Sequence, residues 1–127
     1  MDRVVDCAFR VHRAVGPGLL ESIYRKCLLH EIKRNGLRAE EEVWLPLHYE
    51  DLLLDRALRA DIVVEGTIIV EVKAIETLLG VHRAQVVTYL RASGLPAGLL
   101  VNFHVEYFKQ GYDRLVNPAL LSATRVA

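Results

Sequence analysis

The sequence predicts an α+β (mixed α/β) fold in which helices flank a small central mixed sheet, with elements in the order ααβββαββ. Three successive patterns predict it. Apolar residues recur at helical spacing up to residue 35, alternate with polar residues over 38–74, and return to helical spacing over 78–93. A chain of 127 residues can bury a core of its own, and we expect one domain over residues 1–127.

Two helices open the chain, separated by the turn-forming sequence GPG at 16–18. The first covers residues 2–15, and the second runs from about Leu19 to Asn35, where Asn35-Gly36 favours a left-handed helix end. The apolar stripe predicted for the first helix consists of Val4, Val5, Ala8, Val11, His12 and Val15. The stripe predicted for the second consists of Leu20, Ile23, Tyr24, Cys27, Leu28 and Ile32.

Three strands follow, because the apolar period changes to two. The first covers residues 38–49, where Pro46 favours an edge or bulged position since proline cannot donate to a ladder. The sequence EDLLLD at 50–55 is predicted to turn the chain into a second strand that ends near Val64. The sequence EGT then turns it into a third strand, Thr67–Ala74.

The C-terminal part predicts a helix and two further strand segments. The helix runs from about Leu78 to Ser93 and is closed by Gly94. Residues 98–103 have the pattern of a buried strand, and 105–116 that of a hairpin-like piece, before a tail from about 117 that we expect to be loosely attached. The core side of the helix is predicted to consist of Leu79, Val86, Val87 and Leu90.

The composition excludes several classes of protein. Sixteen basic and sixteen acidic residues cancel, which disfavours non-specific coating of nucleic acid but leaves room for a local basic rim. Cys7 and Cys27 lack metal-ligand spacing and are predicted to be small buried hydrophobic residues. The sequence contains neither a signal-peptide pattern nor an apolar run of the roughly 20 residues that span a bilayer, so we expect no membrane association and a cytoplasmic location.

The apolar pattern of the hairpin ADIVVEGTIIVEVKA at 60–74 predicts the register in which its two strands pair. One face of its first strand consists of Ala60, Ile62 and Val64. One face of its second strand consists of Ile68, Val70 and Val72. Since both apolar faces belong to the core, position 62 should pair with 70 and position 64 with 68, around a three-residue loop at 65–67.

This register predicts that Asp61 faces Glu71 and that Arg59 faces Lys73 on the other side of the sheet. Two opposed carboxylates repel unless a cation lies between them, and a hard divalent cation such as Mg²⁺ suits oxygen ligands. The alternative is an ordinary solvated sheet face on which Arg59 and Lys73 supply the counter-charges. Val63 disfavours that alternative, because it places an apolar neighbour on the same face.

Two further groups of residues accompany the carboxylates. His82, Gln85 and Tyr89 form a polar stripe on the third helix, at positions i, i+3 and i+7. Glu21 lies in the first turn of the second helix, where the free backbone N–H groups favour an acid. Each of these residues alone is also typical of a helix surface or helix end.

Three motifs resemble a known superfamily when they are taken together. Asp61 followed by Glu71-Val72-Lys73 resembles the D…(D/E)-x-K signature of the PD-(D/E)XK nuclease superfamily, with Ala60 in place of its proline. Gln85 and Tyr89 match the Q-x-x-x-Y helix motif of its RecB-like members. The sequence GLLESIY at 18–24 matches the motif that names the GxxExxY protein family. The resemblance extends from about residue 12 to 116.

The resemblance implies a restriction-endonuclease-like core and a Mg²⁺- or Mn²⁺-dependent phosphodiesterase that cleaves DNA or RNA. By resemblance the metal ligands would be Asp61, Glu71, the backbone carbonyl of Val72, and Glu21. Lys73 would orient or deprotonate the attacking water and offset transition-state charge. Gln85 and Tyr89 would position the substrate phosphate or a water on the metal.

A second hypothesis is a nuclease-fold binding module or partner subunit with weak or no catalysis. The zero net charge and the short chain motivate it, because no DNA-binding domain is appended within the 127 residues. A homodimer would serve either hypothesis by letting two small domains embrace a duplex. Trp44 or Tyr49 would form that contact if both are exposed.

Overall fold

A computed structural model describes residues 1–121 and confirms the predicted fold class and element order. Helices flank a five-stranded mixed sheet, consistent with a restriction-endonuclease-like fold. The elements are α1 Asp2–Val15, α2 Glu21–Arg34, β1 Ala39–Tyr49, β2 Leu52–Val64, β3 Ile68–Lys73, α3 Gly80–Ser93, β4 Ala97–Asn102, a short 3₁₀ turn Phe108–Gln110, and β5 Tyr112–Val116.

The strands lie in the sheet in chain order, β1-β2-β3-β4-β5. All neighbouring pairs are antiparallel except β3 and β4, which are parallel. The parallel pair follows from the connection, since α3 carries the chain back across the sheet between these two strands.

Apolar side chains cover both faces of the sheet. Val70 and Val72 of β3 lie in a cluster with buried residues of α1 and α2, whereas Ile69 lies in a cluster with Val86 and Leu90 of α3. Successive residues of a strand point to opposite faces, so α1 and α2 cover one face and α3 covers the other.

An aromatic pair anchors α2 to the α1–α2 face. The rings of Tyr24 and Phe103 stack with their centroids 4.6 Å apart, and both side chains are fully buried. The Tyr24 hydroxyl donates to the carbonyl of Gly16 at 2.5 Å, so the α1–α2 turn is tied to the helix that begins after it. This contact fixes where α2 starts, and therefore where Glu21 lies.

Several residues predicted for the core are exposed instead. Val15, Leu20, Ile23 and Leu79 are all at least 42% exposed. They lie at helix ends: Val15 closes α1, while Leu20 and Leu79 are the residues that precede the first turns of α2 and α3. Periodicity places a residue on a helix face, but it does not show where along its length the helix leaves the sheet. In α3 the buried positions are Val86, Tyr89 and Leu90.

The first two strands form a long hairpin whose outer end is exposed. Its turn lies at residues 50–51, so the prediction that EDLLLD forms the turn is wrong: residues 52–55 already belong to β2. The β1–β2 pairing shifts between Leu45 and Leu47, which confirms the bulged position predicted at Pro46.

The C-terminal segment supplies one strand and not a hairpin. Residues 108–110 form the 3₁₀ turn, and β5 pairs with β4 as the last strand of the sheet. Asn117 is buried and donates to the carbonyl of Leu90 at 2.8 Å. The rest of the predicted loose tail lies largely outside the described residues, so it stays a prediction. None of the helices within residues 1–121 combines the length and apolar character needed to cross a bilayer.

Candidate active site

The β2–β3 hairpin has the register that its sequence predicts. Ile62 pairs with Val70, and Val64 pairs with Ile68, around the three-residue loop 65–67. The loop requires positive φ at two positions, Glu65 at 53° and Gly66 at 61°. Glycine accommodates this conformation without steric cost, which explains its place in the loop.

Beyond Ile62 the two strands separate. The β2–β3 ladder ends at the pair Ile62–Val70, after which β2 continues along β1 and β3 continues along β4. The expected pairing of Arg59 with Lys73 is therefore wrong, because Arg59 lies opposite Trp44 of β1. We call this divergence of β2 from β3 the fork.

An irregularity of the β1–β2 ladder accompanies the fork, since Asp61 does not pair with Glu42, whose φ is 55°. Ala60 was expected to share a face with Ile62 and Val64, but it packs in the α3-side cluster while those two residues pack on the α1–α2 side. The strand therefore changes face at Asp61. Alternation alone cannot predict this change, since it assumes a flat, regular strand.

Two carboxylates occupy the fork and bond across it. The backbone N–H of Asp61 donates to Glu71 Oε1 at 3.0 Å, and the backbone N–H of Val72 donates to Asp61 Oδ2 at 2.8 Å. Each side chain thus accepts a backbone N–H from the opposite strand just beyond the last ladder pair. The predicted proximity of the two acids is present, with Glu71 only 2% exposed.

Burial and mutual repulsion oppose the simultaneous ionisation of the two carboxyl groups in the fork. Burial raises the pKa of Glu71 to about 8, and the charge of Asp61 raises it further, against a lowering by the Asp61 N–H and by Lys73. At neutral pH the Glu71 carboxyl accordingly keeps its proton unless an added cation takes the proton's place.

Glu21 and Lys73 lie within electrostatic range of the carboxylate pair. Burial raises the pKa of Glu21, Asp61 raises it further, and Lys73 and Arg25 lower it. Glu21 is the first residue of α2, and Lys73 is the half-buried last residue of β3. The charges of Glu21 and Lys73 therefore interact with those of the carboxylate pair.

Arg25 also belongs to this site, although the sequence analysis did not identify it. Its Nη1 lies 4.0 Å from Asp61 Oδ1, and the same guanidinium contacts Glu41 at 3.2 Å and Glu42 at 3.3 Å. Arg25 stands four residues after Glu21, so the two share a helix face. That spacing was the signal in the sequence that could have pointed to it.

The Q-x-x-x-Y pair of α3 borders the fork from the other face. Gln85 Nε2 donates to the Tyr89 hydroxyl at 3.1 Å. Burial raises the pKa of Tyr89, and the charges of Glu71 and Asp61 raise it further, so this hydroxyl stays protonated near the acids. Gln85 and Lys73 together border an open depression of about 520 Å³.

His82 borders the same depression but has a structural role. Its Nδ1 accepts the backbone N–H of Leu79 at 2.8 Å, which caps the first turn of α3. The predicted polar stripe therefore divides into one capping residue and two residues that lie toward the acids.

The donor set suits a hard divalent cation. Within residues 1–121 no group of three His, Cys, Asp or Glu side chains is arranged closely enough to hold a metal ion. The pair Asp61–Glu71 nevertheless supplies carboxylate oxygens, and Mg²⁺ commonly takes one or two carboxylates and completes its shell with water. Among the described residues, Arg25 is the one cation within ion-pair distance of the two acids, with its Nη1 4.0 Å from Asp61 Oδ1. These residues fit a two-carboxylate site in which a cation would take the place of the proton on Glu71.

Comparison with known proteins identifies the superfamily. The family model of the PD-(D/E)XK nuclease superfamily matches residues 1–115, which is most of the chain. The chain therefore belongs to this superfamily. No curated protein and no solved structure matches the chain significantly.

Proposed function

We propose that this member of the PD-(D/E)XK nuclease superfamily is a Mg²⁺- or Mn²⁺-dependent nuclease that hydrolyses phosphodiester bonds in DNA or RNA. The observation that carries the proposal is the fork, where a buried carboxylate pair bonds across two diverging strands beside a lysine. Within the superfamily we assign the chain to the GxxExxY branch, with the Q-x-x-x-Y pair of RecB-like members, on the motifs at 18–24 and 85–89.

The metal would be held by residues of three elements. Asp61 and Glu71 offer their carboxylates, the Val72 carbonyl lies on the residue between Glu71 and Lys73, and Glu21 approaches from α2. When bound, the cation polarises the phosphoryl oxygens and lowers the pKa of a coordinated water. Cation binding would also relieve the repulsion that raises the pKa of Glu71.

The remaining residues act on water and on the phosphate. Lys73 carries a mobile point charge at the end of β3, where it would orient or deprotonate the attacking water and offset charge that develops on the phosphorus oxygens. Tyr89 keeps its proton and Gln85 is bonded to it, so the pair presents hydrogen-bond donors that would position the phosphate.

Cleavage of single- and double-stranded DNA and RNA with Mg²⁺ or Mn²⁺ tests this proposal. We expect Glu71→Ala and Lys73→Ala each to lower the rate at least about 100-fold, in line with the usual contribution of a general acid–base group. Glu106→Ala and Lys109→Ala, both exposed and outside the fork, are the matched controls and should leave the rate unchanged. Cleavage that survives both substitutions in the fork comes from a contaminant and overturns the proposal.

The second candidate is a binding module or partner subunit with the nuclease fold but weak or no catalysis. One observation favours it: the fork is satisfied without metal, because each carboxylate accepts a backbone N–H and Glu71 retains a proton. Calorimetry with Mg²⁺ and Mn²⁺ separates the two candidates. Absence of binding at millimolar metal favours the module, and binding that Glu71→Ala abolishes favours the nuclease.

We further propose a homodimer and a cytoplasmic location. Of the two residues considered for the dimer contact, Tyr49 lies at the hairpin end and is 67% exposed, as that contact requires. Cys7 and Cys27 are both free thiols, which suits a reducing compartment. Light scattering on wild type and Tyr49→Asp measures the dimer: a monomeric mass for wild type at high protein concentration excludes it.

A further inference from the structure

An exposed aromatic residue lies between two arginines on the β1–β2 hairpin. The guanidinium carbons of Arg56 and Arg59 are 5.3 Å and 5.6 Å from the centroid of the Trp44 ring. Trp44 is 44% exposed, and both arginines are exposed. We call Trp44, Arg56 and Arg59 the aromatic strip.

The aromatic strip continues directly from the fork. Arg59 and Asp61 are two residues apart on β2, so the strip begins about 7 Å from the fork along the strand. Trp44 lies opposite Arg59 in the ladder, and the charge of Arg59 acts on Tyr89 beside the carboxylates. A nucleic-acid strand held at the fork would therefore reach the strip.

The arginines of the strip differ from most others in the described chain. Arg25, Arg38, Arg83 and Arg114 each form an ion pair with a carboxylate. Within residues 1–121 Arg56 and Arg59 form none, and their contacts are with the indole ring. Their charge is therefore available to an anionic partner.

The combination is the chemistry that holds unpaired nucleotides. An aromatic ring stacks on a base whatever its identity, while guanidinium groups contact the phosphates and stack as well. In a duplex the faces of the bases are already stacked on one another, so they offer the indole ring of Trp44 little surface for stacking. Because the net charge of the sequence is zero, non-specific electrostatic attraction contributes little to nucleic-acid binding, and a local site such as the strip is needed.

We propose that the aromatic strip binds single-stranded nucleic acid and presents it to the fork, so that the substrate class is a single strand or an unpaired flap. This inference rests on the proposed nuclease function for its biological use, although binding itself requires neither metal nor cleavage. Single-stranded DNA and RNA share the chemistry, and the experiment distinguishes them.

The sequence supplies its own probe, because Trp44 is the only tryptophan among the 127 residues. In EDTA, tryptophan emission is titrated with oligothymidine and oligouridine of about ten nucleotides, within the range of single-strand site sizes, and with a duplex of equal length. We expect quenching by one or both single strands and much weaker quenching by the duplex. Equal quenching by the duplex, or no quenching by either single strand, overturns the proposal.

Substitutions then measure the contribution of each part, with the anisotropy of labelled oligonucleotides as the readout. We expect Trp44→Leu to weaken single-strand binding about tenfold. Arg56→Gln and Arg59→Gln should each lower the slope of log affinity against log salt by about 0.7. The matched controls are Tyr107→Leu and Arg91→Gln, which alter an exposed aromatic and an exposed arginine on other surfaces.

Folding and self-association are checked on the same samples. Circular dichroism establishes that each variant is folded, and a folded Trp44→Leu that binds as tightly as wild type overturns the proposal. Emission that changes with protein concentration alone, together with a dimer mass, would show that a second copy occupies the strip, and it would also overturn the proposal.

The outcomes separate this inference from the proposed function. If the protein does not cleave nucleic acid but single strands quench Trp44, the proposed binding surface is supported and the proposed nuclease function is contradicted. If the protein cleaves nucleic acid but no quenching occurs, the nuclease function is supported and the binding surface is contradicted.

Discussion

Two acidic residues of the sheet, Glu41 and Glu71, lie in opposite electrostatic situations. Lys26 Nζ contacts Glu41 at 2.7 Å and Arg25 Nε contacts it at 3.2 Å, and these partners lower its pKa. Glu71 is buried beside Asp61, and its pKa rises to about 8. The charge of Glu41 is therefore neutralised by its two cationic partners. Glu71 instead keeps a proton, which a bound metal cation could replace.

The difference follows from how each residue is placed. Glu41 faces α2, whose Arg25 and Lys26 reach across to it. Glu71 accepts a backbone N–H of β2, and Lys73, two residues later, only partly offsets the burial of Glu71. Charge balance is thus complete on the α2 side of the hairpin and incomplete in the fork.

The largest predicted effect is stabilisation by metal. Mn²⁺ at 100 times its dissociation constant should raise the free energy of unfolding by about 2.7 kcal/mol, because the cation binds only the folded fork. Glu71→Gln should abolish this gain, and Glu41→Gln should leave it intact. Thermal melts with and without Mn²⁺ measure the effect. An equal gain in stability in both variants would show that the metal binds outside the fork.

The pH dependence of stability should have opposite signs for the two residues. The folded pKa of Glu71 lies above its ordinary 4.5, so the folded state binds more protons and loses stability as pH rises from 4.5 to about 8. Glu41 has a lowered folded pKa, so its stabilisation is present above 4.5 and is lost as the pH falls through the folded pKa.

Melting temperatures in EDTA between pH 4 and 9 check these signs. Glu71→Gln should remove the loss of stability toward pH 8, and Glu41→Gln should instead reduce stability at neutral pH, by at most about 1 kcal/mol. Parallel profiles for wild type and Glu71→Gln would contradict the raised pKa of Glu71.

The smallest predicted effect concerns Arg25, which links the two acidic residues. Arg25→Gln removes the contacts to Glu41 and Glu42 and should cost only about 1 kcal/mol of stability, since Lys26 still pairs with Glu41 and Glu42 is exposed. It also removes a positive charge 4.0 Å from Asp61, so Mn²⁺ should bind more tightly. Calorimetry on the variant measures this change, and weaker Mn²⁺ binding would mean that Arg25 supports the metal site.

Local spacing predicted the parts of the site that depend on short-range geometry. The alternation around Gly66 predicted the pairing of Ile62 with Val70, and with it the approach of Asp61 to Glu71. The i, i+4 spacing of Gln85 and Tyr89 likewise corresponds to a hydrogen bond in the structure. Such features need only a regular strand or helix.

The features that sequence reasoning missed depend on how elements depart from regularity or meet in space. Arg59 lies opposite Trp44 and not Lys73, because β2 leaves β3 at the fork. Ala60 changes face next to the position where the Glu42–Asp61 pair is missing from the β1–β2 ladder. The spacing of Arg25 from Glu21 places both on one face of α2, but the contact of Arg25 with Asp61 also requires the placement of α2 over the hairpin.

We propose that Asp61 and Glu71 hold one divalent cation in the fork. The anomalous difference density of crystals soaked in Mn²⁺ tests this directly. We expect a single strong peak bounded by carboxylate oxygens of Asp61 and Glu71, with Lys73 nearby. A fork without a peak at saturating Mn²⁺, or a peak held by other residues, would contradict it.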